Sequence, residues 1–201
     1  KSETSAASWS QINNGLSSLT VNTIAIDPIT PTTLWAGTNV GLVISTNSGT
    51  SWSPADTGVS SRTISALAIH PTTTSTLYAG TSFAGVFKTT NSGGAWIATN
   101  TGLFAHRIYC IEINPSTPTT FFAGTYGGGI LRTQDGGLTW SEANQNLTQI
   151  FVFSLAIDPV ASEIVYAGTF TGGVWKSENG GDSWAAANTG LTSSEIGRAH
   201  V

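Results

Sequence analysis

Apolar residues come in short runs broken by Gly, Pro, Asn, Ser and Thr, and no run is long enough for a helix of the usual length. Residues 63–98 show the pattern. T-I-S-A-L-A-I at Thr63–Ile69 is β-rich and half alternating, which predicts a strand. His70-Pro71 and a Thr/Ser run make a turn, and Thr76–Gly80 predicts a second strand. Val86–Thr89 predicts a third. Asn91–Gly94 reads as a tight hairpin turn, because Asn and Gly supply positive φ cheaply. Ala95–Ala98 predicts the fourth strand.

The same unit recurs along the chain. Trp52, Trp96, Trp140 and Trp184 stand 44 residues apart, each closing an eight-residue phrase such as S-T-N-S-G-T-S-W or T-Q-D-G-G-L-T-W. A-I-D-P at 25–28 returns as A-I-H-P, E-I-N-P and A-I-D-P, and L-W-A-G-T returns as L-Y-A-G-T, F-F-A-G-T and V-Y-A-G-T. Four short antiparallel strands per repeat of this length predict an all-β chain of β-propeller blades. The expected blades are 20–57, 63–101, 107–145 and 151–189, with 6–12 as the outer strand of a preceding blade. Residues 1–194 thus read as one propeller fragment. The ending E-I-G-R-A-H-V breaks the pattern, so 195–201 reads as a non-native tail.

The eight-residue phrase resembles the Asp-box, or BNR repeat, with Asn47, Asn91, Asp135 and Asn179 at the Asp position. The resemblance implies a propeller of the group that holds xyloglucanases, sialidases, sortilin-type receptors and photosystem assembly factors. It also implies that these turns lie at the blade periphery, and that ligands meet the loops after the second and fourth strands. Those turns are therefore expected to serve folding.

On the implied ligand face, Phe83, Tyr126 and Phe170 read either as stacking platforms for sugar rings or as caps on the blade core. His106 and Arg107 form a polar cluster there, with Arg62 in the corresponding earlier loop. A guanidinium there either holds a carboxylate through two parallel hydrogen bonds or simply solvates the surface. Asn39 stands in T-N-V-G, where the resemblance to xyloglucanases implies a catalytic Asp in a T-D-V-G-G-like loop; Ser82, Tyr126 and Phe170 hold the matching places. None of the four is a carboxylate, whereas glycoside hydrolysis uses two. Glu112 is the anomaly, replacing the Ala25, Ala68 and Ala156 of the other units. Desolvated, it would be a candidate general acid; paired with a neighbour such as Arg107, or facing channel solvent, it would be structural.

Composition narrows the classes. Only 9% of residues are charged and the net charge is −4, which leaves no footprint for nucleic acid. No apolar stretch approaches a membrane helix. A single Cys and three scattered His give neither a disulfide framework nor metal-ligand spacing, and no cofactor is expected. The expectation is a non-catalytic extracellular or periplasmic binding or scaffold propeller, its ligand a polysaccharide or a protein. The alternative is a piece of a secreted glycoside hydrolase whose acids lie outside these residues.

Overall fold

The structure is a computed structural model that describes residues 1–2, 4–61 and 63–196. Four antiparallel sheets of four strands follow one another, each in plain sequence order. The first holds β1 (Val21–Ile26), β2 (Leu34–Thr38), β3 (Gly41–Ser45) and β4 (Ser53–Pro54). The second holds β5 (Ile64–Ile69), β6 (Leu77–Thr81), β7 (Val86–Thr89) and β8 (Ile97–Ala98). The third holds β9 (Ile108–Ile113), β10 (Phe121–Thr125), β11 (Ile130–Thr133) and β12 (Ser141–Glu142). The fourth holds β13 (Val152–Ile157), β14 (Val165–Thr169), β15 (Val174–Ser177) and β16 (Ala185–Ala186). The first strands of successive sheets are neighbours: β1 lies beside β5, β5 beside β9 and β9 beside β13.

The repeated residues explain this architecture. Thr38, Thr81, Thr125 and Thr169, which end the A-G-T phrases, are fully buried, and each hydroxyl donates 2.9 Å to a glycine carbonyl across the following loop. In the eight-residue turns the side-chain oxygens of Asn47, Asn91, Asp135 and Asn179 each accept a backbone N–H from four residues on. Such self-capping holds a turn without help from the rest of the fold.

Each repeat Trp serves the seam between sheets. The indole Nε1–H groups of Trp52, Trp96, Trp140 and Trp184 donate 2.7–2.8 Å to the carbonyls of Ile12, Ala55, Thr99 and Ala143 in the preceding unit. Their backbone N–H groups donate to Asn14, Thr57, Thr101 and Gln145. This shortens the fourth strands: the expected strand over Ala95–Ala98 narrows to Ile97–Ala98 because Trp96 bonds to the unit before it. Residues 6–12, expected as an outer strand, form no strand, since no third strand lies beside them among the described residues. Trp9 is accordingly 74% exposed. The end of that segment still supplies the seam acceptors Ile12 and Asn14.

Cations add a second seam contact. Lys88 Nζ and the Tyr78 hydroxyl both donate to the Gly136 carbonyl, 2.9 and 3.0 Å away in the next sheet's turn. Arg132 reaches Gly180 at 2.8 Å and Asp182 at 2.6 Å in the same way. Lys176 instead pairs with Glu178 of its own sheet at 2.5 Å. Apolar clusters also straddle the seams; one joins Trp35 and Leu42 of the first sheet to Ile64, Leu77 and Trp96 of the second.

The A-G-T glycines sit where sheets approach closely. A Cβ on Gly37, Gly80 or Gly124 would press into Ile64, Ile108 or Val152, the residue that opens the next sheet. Gly168 stands against Ile196 in the same way, and Ile196 N–H donates to the Thr169 carbonyl. The 44-residue register thus reaches Ile196, the second residue of the tail expected to break it. Residues 197–201 lie outside the described residues.

Candidate functional site

Four equivalent corners rim one end of the first strands. In each corner the N–H of the residue after the A-G-T threonine donates to the carbonyl of the residue that precedes the first strand or leads into it: Asn39 to Thr20, Ser82 to Thr63, Tyr126 to Arg107 and Phe170 to Phe151. The repeat therefore places three side chains per corner side by side: that loop residue, its acceptor, and the residue two beyond the acceptor. The first two corners carry Asn39, Thr20, Asn22 and Ser82, Thr63, Ser65. The last two carry Tyr126, Arg107, Tyr109 and Phe170, Phe151, Phe153. One half of the rim is small and polar, the other aromatic.

The polar half is engaged in structure. Asn22 Nδ2 donates 3.0 Å to the Ile64 carbonyl, and the buried Ser65 hydroxyl donates to the carbonyls of Ile108 and Gly80. Both latch one sheet to the next. Asn39 accepts the Ser18 hydroxyl at 2.6 Å.

The aromatic half forms a continuous path across the third seam. Tyr126 packs on Phe151 at 4.6 Å between centroids and on Tyr109 at 5.8 Å. Tyr109 meets Phe153 edge-on at 4.7 Å, and Phe153 meets Phe170 edge-on at 5.5 Å. Edge-to-face pairs stabilise each other beyond their buried area. Tyr126 and Phe170 end the path about half exposed, at 47% and 49%. The Arg107 guanidinium lies over Tyr126 at 4.4 Å and near Tyr109 at 5.4 Å.

Of the residues expected from sequence, Tyr126, Phe170 and Arg107 are brought together. Phe83 is not: it is 76% exposed and joins no ring contact among the described residues. His106 is exposed, and its carbonyl accepts the Gly85 N–H. Arg62 lies outside the described residues. Sequence reasoning missed Tyr109, Phe151 and Phe153. Their signal was present, since they replace Ser65, Thr63 and Ser65 at the 44-residue period.

Below the rim, the first strands line a concavity to which Tyr109, Glu112 and Phe153 contribute. Glu112 is half-buried, and burial pushes its carboxyl up to about 7 even though the Ile157 N–H donates to it. The pairing with Arg107 considered from sequence is not formed: Glu112 bonds across the seam to β13, and Arg107 stacks on the tyrosines. Glu112 is the one acid among the residues lining this concavity. No group of three or more His, Cys, Asp or Glu with metal-binding geometry occurs among the described residues.

The opposite ends of the first strands carry self-capped turns. Asp27, Asn114 and Asp158 each accept two backbone N–H groups from the residues that follow, and His70 Nδ1 accepts from Thr72 and Thr73. Desolvation, followed by the Lys88 charge, lowers the His70 pKa and so keeps the imidazole in the neutral form that can accept them.

No protein-family model matches the chain, and no curated protein matches it. Solved structures do. An ancestral GH74 enzyme superposes with a TM-score of 0.70 at 19% identity, covering 87% of this chain and 26% of that one. The extracellular domain of a B. thetaiotaomicron protein described as a hybrid two-component system gives 0.69 at 17%, covering 90% and 26%. YCF48 bound to D1 peptide gives 0.60 at 18%, covering 83% and 54%. The fold is that of a β-propeller. At these identities the likeness is one of fold. The chain spans about a quarter of the length of the first two structures. Among the described residues no helix is long and apolar enough to cross a membrane.

Proposed function

We propose that these blades form a non-catalytic, extracellular binding propeller whose ligand is a carbohydrate held at the aromatic half of the rim. The observation that carries this reading is the ring path from Tyr126 through Tyr109 and Phe153 to Phe170, with both ends open to solvent. Flat apolar ring faces beside hydroxyl and amide groups suit a sugar, which offers C–H faces and hydroxyl edges. Glu112 stands without a second carboxylate in its concavity, and hydrolysis of a glycosidic bond ordinarily takes two. The extracellular setting is supported by the low charge, the Ser/Thr/Asn-rich surface and the sensor-domain likeness.

Titration calorimetry against neutral and acidic oligosaccharides tests this. Binding without turnover is expected, weakened about tenfold by Tyr126→Ala or Phe170→Ala, the scale of one aromatic contact. Hydrolysis abolished by Glu112→Gln would replace this reading with the enzymatic one. The GH74 likeness favours that second reading in one form: these blades as part of a glycoside hydrolase whose acids lie elsewhere in a longer chain.

A further inference from the structure

Arg107 differs from the other cations described within the repeats. Lys88 is spent on the Gly136 carbonyl, Arg132 on Gly180 and Asp182, and Lys176 on Glu178. Arg107 bonds to no carboxylate or carbonyl among the described residues; it is exposed at the rim, with its guanidinium carbon over Tyr126 at 4.4 Å from the ring centroid and 5.4 Å from that of Tyr109. The ring contacts hold the cation in place without using its N–H donors, which no carboxylate or carbonyl of the described residues takes. A planar fork held in place, on a ring path open to solvent, is the arrangement that receives a carboxylate through two parallel hydrogen bonds. The corresponding residues of the first two corners, Thr20 and Thr63, carry no charge, so among the described corner positions the cation stands in the aromatic half.

We propose that Arg107 is a carboxylate subsite, and that the glycan bound on this face is acidic, a hexuronate-bearing polysaccharide. This rests on the carbohydrate reading above and sharpens it. One uronate carboxylate meets the Arg107 fork while its ring, or the next sugar, lies on the exposed face of Tyr126. A chain of net charge −4 does not attract polyanions in general, so recognition depends on this local cation. Lysine would supply the charge without the fork and should restore only part of the affinity.

The test is titration of the full chain with oligogalacturonate and glucuronoxylan oligosaccharides, with the methyl esters of both, and with neutral cello- and xylo-oligosaccharides. At least one acidic probe is expected to bind tenfold or more tightly than its own ester. That preference should vanish in Arg107→Gln, be partly kept in Arg107→Lys, and shrink as salt is raised. Thermal melts of the variants, unchanged from the parent, confirm that the fold is kept. Equal binding of acid and ester, or an acid preference that survives Arg107→Gln, overturns the carboxylate subsite while leaving the carbohydrate reading in place. Failure of every saccharide, acidic or neutral, overturns both.

Discussion

Glu112 is the residue whose environment departs furthest from its equivalents. The other three sheets place alanine there, and the carboxyl in the third pays desolvation that one hydrogen bond from Ile157 does not offset. Its folded pKa of about 7 lies above the ordinary 4.5, so the folded state holds a proton that the unfolded chain has released. Stability is therefore expected to be full below about pH 4.5 and to fall as pH rises through 7, by at most about 3 kcal/mol. Melting temperatures of the parent should drop between pH 5 and 8, and those of Glu112→Gln should not. Equal slopes for the two proteins would mean that Glu112 is solvated in the folded state. Asp135 is the opposite case. Hydrogen bonds from Thr139 hold its carboxyl down to about 2, so its protonation costs stability only in strong acid. In the neighbouring turns Asn47 and Asn179 use Oδ1 for the same N–H and Nδ2 for a serine hydroxyl. Asp135→Asn should leave stability at pH 7 nearly unchanged in chemical denaturation.

At the scale of strands and turns, the sequence was readable where a single unit determines the outcome. Val86–Thr89 falls where alternation put it, and the turn at Asn91 closes through its own side chain. Contacts between residues about 44 apart were not readable as contacts. The period says that Ser65 and Tyr109 are equivalent, but not that Tyr109 touches Phe153 across a seam. It likewise names Lys88 and Arg132 as a pair without showing that both reach into the next sheet's turn. Such contacts depend on how closely two sheets approach, which glycine sets. A Cβ at Gly80 would lie 2.6 Å from Ile108 Cγ2 and 3.1 Å from the Ala66 Cβ. Gly80→Ala should cost about 1–3 kcal/mol through overpacking. Ile108→Ala removes the Cγ2 methyl; alone it should cost about 2–5 kcal/mol, and the double variant should cost less than the sum of the two, a coupling that a denaturation cycle would read. Strict additivity would mean that the sheets adjust without strain.

Across the described residues, the two central sheets each have a sheet on both sides, and the first and fourth have one on one side only. β5 is buried over its first half, whereas Ile24 and Ile26 of β1 are 59% and 56% exposed. In tandem repeats, stability comes largely from the interfaces between neighbours. Hydrogen exchange should therefore be slowest in β6 and β10, and faster by a factor of ten or more in β1 and in β15–β16. Uniform protection would show that the end sheets are stable without a neighbour.

The seams also share a direction. At every one, a repeat Trp donates twice to the unit before it, at carbonyls two residues apart. Ala55 and Thr57 therefore offer Trp96 what Thr99 and Thr101 offer Trp140. Excising residues 58–101, one 44-residue period, would bring Ala55 and Thr57 to Trp140 with both acceptors in place. Unequal crossover between such repeats in a gene would yield a splice that the protein already knows how to fold, so blade number is the property of this architecture most open to change by a single genetic event.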